Sequence, residues 1–239
     1  MLHDCVAEII PIEPDAGNAA AGIASTIVMV CEAVSIPYRL FKYANRGTSA
    51  NDNSMRYLCV LTIAGSDSCG GAGVQADIKT MSALGVYAAS AITSVTVQNT
   101  LGVKAIQAIE PAIVAGQIKA VMDDVKPVAI KIGMVNDCAT IHAIADSLSS
   151  YSPSTLVVDP VMASTSGSML MQRDALEVFC SELLPMATLL TPNIPEAEVL
   201  SKTEIHTVDD MDVAAKRILA MGCKAELIKG GHLEGNKKI

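Results

Sequence analysis

From residue 55 onward, short continuous apolar runs alternate with longer segments whose apolar positions recur at helical spacing. Short apolar runs of this kind suit strands buried on both faces, and the intervening segments are long enough to be helical crossovers. The pattern therefore predicts a mostly parallel α/β sheet. Six strands are expected, at residues 57–64, 88–97, 128–132, 155–158, 188–190 and 225–228, with helices at 74–84, 111–124, 139–149, 173–183, 194–200 and 208–221. Some helix ends are legible: Thr207 is an N-cap candidate followed by Asp209 and Asp210, and Gly222 is a stop signal. Residues 1–54 read differently, with Pro11, Pro14 and Pro37, no sustained period, and a polar linker-like stretch at 45–54. We read them as an irregular extension, expect Met55 to be the natural start, and assign 55–239 to a single domain.

Composition narrows the function classes. The chain has 239 residues, 51% of them hydrophobic, and carries a net charge of −8. That is enough apolar material for one sizeable core. The negative balance argues against nucleic acid or an anionic membrane as partner, since both require a basic face. Seven cysteines, spread widely and never in a CxxC pair, suggest neither a zinc site nor a disulfide framework. Reduced thiols fit a cytoplasmic protein. The apolar run at 19–31 is too short to span a bilayer, and acidic residues precede it where an export signal would carry Lys or Arg.

In an open parallel sheet, ligands bind beyond the carboxyl ends of the strands, so the chemistry is sought in the residues just after each one. The first expected strand runs into Gly65-Ser-Asp-Ser-Cys-Gly-Gly-Ala-Gly73, with four glycines in nine residues, ahead of a helix containing Asp77. Such a loop can bring backbone N–H groups close to an anion or a flat ring. A Walker A loop is excluded because Gly71, not Lys, follows Gly70. A dinucleotide fingerprint is excluded because no acidic residue lies between Ile78 and Ile109. Gln98 follows the second strand and could both donate to and accept from a heterocycle. Gly133 and Met134 follow the third, and Met134 suits either a ring face or the core. Asp159 emerges from the fourth, where a carboxylate needs a partner, with Val161 just beyond it. Asn193 and Glu196 open the helix after the fifth. They could face a hydrated Mg²⁺, although their spacing alone favours a capping box. Lys229 ends the sixth strand beside two glycines and suits a phosphate.

Taken in this order, LTIAGSDSCGGAGVQADIKT, SALGVYAASAITSVTVQNT, KIGMV, VVDPVM, LLTPNIPEAEVL and IKGGH resemble the hydroxymethylpyrimidine/phosphomethylpyrimidine kinases of thiamine biosynthesis. These belong to the ribokinase-like superfamily. The resemblance implies a ribokinase-like three-layer α/β sandwich and ATP-dependent phosphorylation of 4-amino-5-hydroxymethyl-2-methylpyrimidine and then of its monophosphate. It implies that Asp77 and Gln98 contact the pyrimidine, with Gly65, Met134 and Val161 lining the ring. It assigns Asp159, Asn193 and Glu196 to Mg²⁺ and triphosphate and Lys229 to the nucleotide, without a tight protein-only metal site. A homodimer is also implied. The family carries a Gly-Thr-Gly-Cys motif downstream of KGGH, which supplies the anion hole and the base. The chain ends at Ile239 before such a motif, so the expectation is a C-terminally incomplete domain, inactive alone, with its catalytic residues beyond Ile239. Two other readings are open: a non-catalytic pyrimidine-binding or dimerising fragment, and a pyridoxal or pyridoxine kinase of the same fold.

Overall fold

A computed structural model describes residues 58–163 and 169–230. The expected extension at 1–54, the start at Met55 and the end of the KGGH motif lie outside the described residues.

Six strands form one sheet: β1 (Cys59–Asp67), β2 (Tyr87–Asn99), β3 (Gly102–Ala108), β4 (Ala129–Ile132), β5 (Leu156–Val158) and β6 (Leu189–Leu190). Their order across the sheet is β3-β2-β1-β4-β5-β6. Every neighbouring pair is parallel except β2 and β3, which form an antiparallel pair at one edge. The helices are α1 (Gly73–Ala83), α2 (Pro111–Asp124), α3 (Cys138–Ser149), the short α4 (Ala175–Val178), α5 (Ile194–Ser201) and α6 (Val208–Leu219).

Period-two alternation along the strands divides the core between the two faces of the sheet. Leu61 and Ile63 of β1, Ile130 and Ile132 of β4, and Leu156 and Val158 of β5 join one large cluster with residues of α2, α3, α5 and α6. Val60 and Ala129 face the other way and pack with Met81 of α1 and Val86. These helix, sheet and helix layers are the ribokinase-like sandwich read from the sequence.

Four differences from the expected elements have physical causes. β3 was not anticipated: Gly102–Ala108 is an edge strand with exposed or half-buried residues, so it lacks the apolar run of a buried strand. β1 extends to Asp67, three residues past the expected end, because after an irregularity beyond Ala64 it stays paired with β2 through Ser66 and Asp67. The helix expected at 173–183 has an α segment of only four residues and continues as a π-helical turn, Phe179–Leu183. The strand expected at 225–228 is reduced to single parallel bridges, Leu190 with Glu226 and Asn193 with Lys229.

β1 lies between β2 and β4, so the chain leaves it toward opposite sides of the sheet in succession. That is a topological switch point, where the carboxyl ends open a crevice.

Candidate active site

The glycine loop is organised by a residue that sequence reasoning missed. Asp67 is 4% exposed. Its carboxylate accepts hydrogen bonds from the backbone N–H groups of Cys69 (2.8 Å), Gly71 (2.9 Å) and Ala72 (2.8 Å). Ala72, the N-cap of α1, has no side-chain cap of its own, so Asp67 satisfies donors that the helix start leaves open. Those N–H groups are therefore already engaged, and the generic anion cradle suggested by the glycines is not what this loop presents. Gln75 ties the loop's base: its Oε1 accepts from Asp67 N–H at 2.8 Å and its Nε2 donates to Ser66 Oγ at 2.7 Å. Gly73 is required on two counts, a φ of +57° and a Cβ position that would collide with the Gly65 carbonyl oxygen. At Gly65 a Cβ would lie 2.8 Å from Ser94 Oγ and 2.9 Å from Met134 Cε, so its absence lets Met134 close in on the strand.

Gln98 is half-buried at the carboxyl end of β2. Ser68 clasps its main chain, donating to the Gln98 carbonyl at 2.7 Å and accepting from its N–H at 3.0 Å. Met134 is buried after β4, its carbonyl receiving the Thr93 hydroxyl at 2.8 Å. Asp77, one turn into α1, turns its carboxylate toward the sheet. Thr62 Oγ1 donates to it at 2.5 Å, and Lys131 Nζ reaches its two oxygens at 2.9 and 3.1 Å. Lys131 was not singled out from the sequence. The signal was a lysine inside a four-residue buried strand, where an ammonium group needs a partner. Gly133 leaves room for it, since a Cβ there would lie 2.8 Å from Lys131 Nζ.

A second group gathers beyond β5 and β6. Lys229 Nζ pairs with Asp159 Oδ1 at 2.9 Å, and Val161 N–H, in the same loop, donates to the Asp159 carbonyl at 2.8 Å. Asn193 and Glu196 form a capping box at the start of α5: Asn193 Oδ1 accepts from Glu196 N–H at 2.9 Å, and Glu196 Oε2 accepts from Asn193 N–H at 2.8 Å. The structural role favoured by their spacing is thus present. Burial pushes the Glu196 carboxyl above the usual range, and the negative charge of Asp159 adds to that rise, while the Asn193 hydrogen bond and Lys229 oppose it. Two carboxylates and one ammonium therefore share this end of the sheet. No cluster of three or more His, Cys, Asp or Glu able to hold a metal occurs among the described residues.

The family model described as phosphomethylpyrimidine kinase matches residues 67–239. The chain belongs to the phosphomethylpyrimidine kinase family. It is 49% identical to a hydroxymethylpyrimidine/phosphomethylpyrimidine kinase of Rhizobium meliloti, over 74% of this chain and 66% of the relative. With the Salmonella typhimurium protein of the same name it shares 44% identity over 75% of this chain and 68% of the relative. The chain thus spans about two thirds of the length of these two curated kinases. A crystal structure of phosphomethylpyrimidine kinase from Clostridium difficile superposes with a TM-score of 0.71 at 50% identity, covering 75% of this chain and 78% of that one. Pyridoxal kinase from Staphylococcus aureus, in complex with AMP-PCP and pyridoxal, gives 0.68 at 32% identity, covering 76% and 65%. In this phosphomethylpyrimidine kinase family member, Gly65 and Gln98 lie near the carboxyl ends of β1 and β2 and Met134 follows β4, the three strands that meet at the switch point. Asp159, Asn193 and Lys229 follow the β5 and β6 side.

Proposed function

We propose that this protein, in a chain that includes the family's Gly-Thr-Gly-Cys anion hole, transfers a phosphoryl group from ATP to 4-amino-5-hydroxymethyl-2-methylpyrimidine and to its monophosphate, and that residues 1–239 alone do not. The observation that carries this reading is the family match over residues 67–239. The geometry supports a division of labour, with the ring at the β2-β1-β4 crevice against Gly65, Gln98, Met134 and Val161, and the nucleotide beside Asp159, Asn193, Glu196 and Lys229. Asp77 enters as support for the loop through Lys131 and Thr62, since its carboxylate already serves both.

The residues on the nucleotide side fit a Mg²⁺ that arrives with phosphates. Such an ion needs only one or two carboxylates because phosphate oxygens and water complete its shell. Asp159 and Glu196 are two carboxylates whose mutual repulsion a cation would relieve. When bound, the ion would neutralise charge on the phosphates. Lys229 can exchange Asp159 for a phosphate oxygen, and Asn193 keeps Glu196 in place through the cap.

The reading extends to a cytoplasmic homodimer. Free cysteines at 59, 69, 138, 180 and 223 support the first part. Exposed Val95, Val97 and Leu101 on and just after β2 support the second. No helix among the described residues is long and apolar enough to cross a membrane.

The test is ATP-dependent turnover of the pyrimidine against pyridoxal by a chain that carries the family's Gly-Thr-Gly-Cys segment. A higher kcat/KM for the pyrimidine is expected, and a preference for pyridoxal overturns the substrate assignment. Gln98→Ala should raise the pyrimidine KM by roughly 5- to 10-fold, about the net worth of one hydrogen bond. An unchanged KM removes Gln98 from the site.

A further inference from the structure

The hydrogen bonds around Gln98 decide which end of its amide is free to meet a ligand. Ser68 holds the Gln98 main chain at both its N–H and its carbonyl, so the remaining freedom lies in the side chain. There, Gln98 Oε1 is 3.3 Å from Thr96 Oγ1, and Thr96 Oγ1 is 2.9 Å from the Ser66 carbonyl oxygen. Thr96 is 4% exposed. Its hydroxyl carries one proton, while both neighbours are carbonyl oxygens that only accept. The Ser66 carbonyl is the nearer, and it belongs to a strand residue paired with β2. With the proton given to Ser66, an Oε1 facing Thr96 would set lone pairs against lone pairs. Turning the amide over removes that conflict at almost no steric cost, because the oxygen and nitrogen of an amide fill nearly the same volume. Nε2 then donates to Thr96 Oγ1, and Oε1 points away from it.

We propose that Thr96 is a positioning residue that turns Gln98 Oε1 toward the ligand as an acceptor, so that the site selects a ring offering an N–H donor, such as an exocyclic amine, over one offering a carbonyl. The inference rests on the pyrimidine reading of the site. It adds a specificity element one layer behind the residue that touches the ring. A polar group held in one orientation rejects the wrong partner, because a mismatched ligand leaves buried groups unpaired.

Calorimetric binding of 4-amino-5-hydroxymethyl-2-methylpyrimidine and of its 4-oxo counterpart to the full chain tests this. The wild type should prefer the amine by roughly tenfold or more. Thr96→Val, which keeps the shape and removes the hydroxyl, should bring the ratio of the two Kd values close to one, whereas Thr96→Ser should restore it. In a Gln98→Ala background, Thr96→Val should change the ratio no further, because the two residues act through one hydrogen bond. Thermal melts of each variant separate loss of fold from loss of selectivity. A ratio unchanged in Thr96→Val, or an equal further drop in the Gln98→Ala background, overturns the role of Thr96 while leaving the pyrimidine reading standing. Binding of neither ring by the folded wild type overturns the pyrimidine reading, and this inference with it.

Discussion

Replacing Glu226 by Gln should raise the melting temperature by about 10 °C at pH 8.5 and leave it nearly unchanged at pH 4.5. Glu226 is 7% exposed, neither carboxyl oxygen has a hydrogen-bond partner among the described residues, and burial pushes its pKa up to about 8. It lines a cleft of about 230 Å³ together with Asp209 and Asp212 of α6, and among the described residues that lining carries no Lys, Arg or His. Ionised Glu226 also bears on the buried Cys223 thiol, whose pKa is pushed up to about 12, chiefly by burial. The folded state holds a proton on Glu226 that the unfolded chain releases near its ordinary pKa of 4.5. Between those two values the folded state binds more protons, so stability falls as pH rises from about 4.5 to about 8 and then levels off. The accumulated loss is on the order of 4 kcal/mol, and a domain of this size shifts by about 2–4 °C per kcal/mol. A neutral amide of the same shape cannot lose a proton, so the difference between the two proteins should grow along that pH interval. Melting curves at several pH values check it, and a gain independent of pH would mean that ionisation is not the cause.

The sheet was legible from sequence where burial on both faces makes a strand nearly continuously apolar, as in β1, β4 and β5. It was not legible at β3, because an edge strand with Lys104 and Gln107 exposed needs no such run. Helix α2 was readable to the residue, since Pro111 stands at its first position, where a missing N–H does no harm. The segment around Phe179 carried apolar residues at helical spacing but no side-chain cap, and the periodicity gave no warning of its π turn. Site residues followed the same logic. Gln98, Met134 and Asp159 stand at or just past strand ends, and Lys229 at an isolated bridge beside β6, and topology alone makes such positions suspect. Asp67 and Lys131 do their work through partners distant in sequence or through loop N–H groups, and no local pattern announces such pairings. For Asp67 a hint existed in an Asp followed by a glycine-rich turn, a common arrangement for side-chain capping of backbone donors.

Lys131→Met should destabilise the fold by about 3 kcal/mol and weaken pyrimidine binding at the same time. The Lys131 and Asp77 side chains are 15% and 18% exposed, and their 2.9 Å ion pair ties α1 to β4, with Thr62 of β1 adding a hydrogen bond to the same carboxylate. Losing the ammonium would leave Asp77 shielded from water with one neutral donor, and removing one partner of a buried pair costs about 3–5 kcal/mol. The lower end applies because some solvent reaches both groups. The functional consequence follows from position: α1 starts at Gly73, whose contact with Gly65 sets the loop, and Lys131 lies two residues before Gly133 on the strand that leads to Met134. A shift of α1 away from β4 would therefore loosen both walls of the crevice. If the damage comes from the unpaired charge, Lys131→Met combined with Asp77→Leu should recover most of the stability, because a well-packed apolar pair can replace a buried ion pair at little net cost. Denaturant titrations of the two single variants and the double variant measure the coupling directly. Simple additivity, with the double variant losing the sum of both singles, would show that the pair does not act as a unit. Recovery of stability without recovery of pyrimidine binding would separate the two roles, assigning to the ion pair a placement of the loop that hydrophobic contact cannot reproduce.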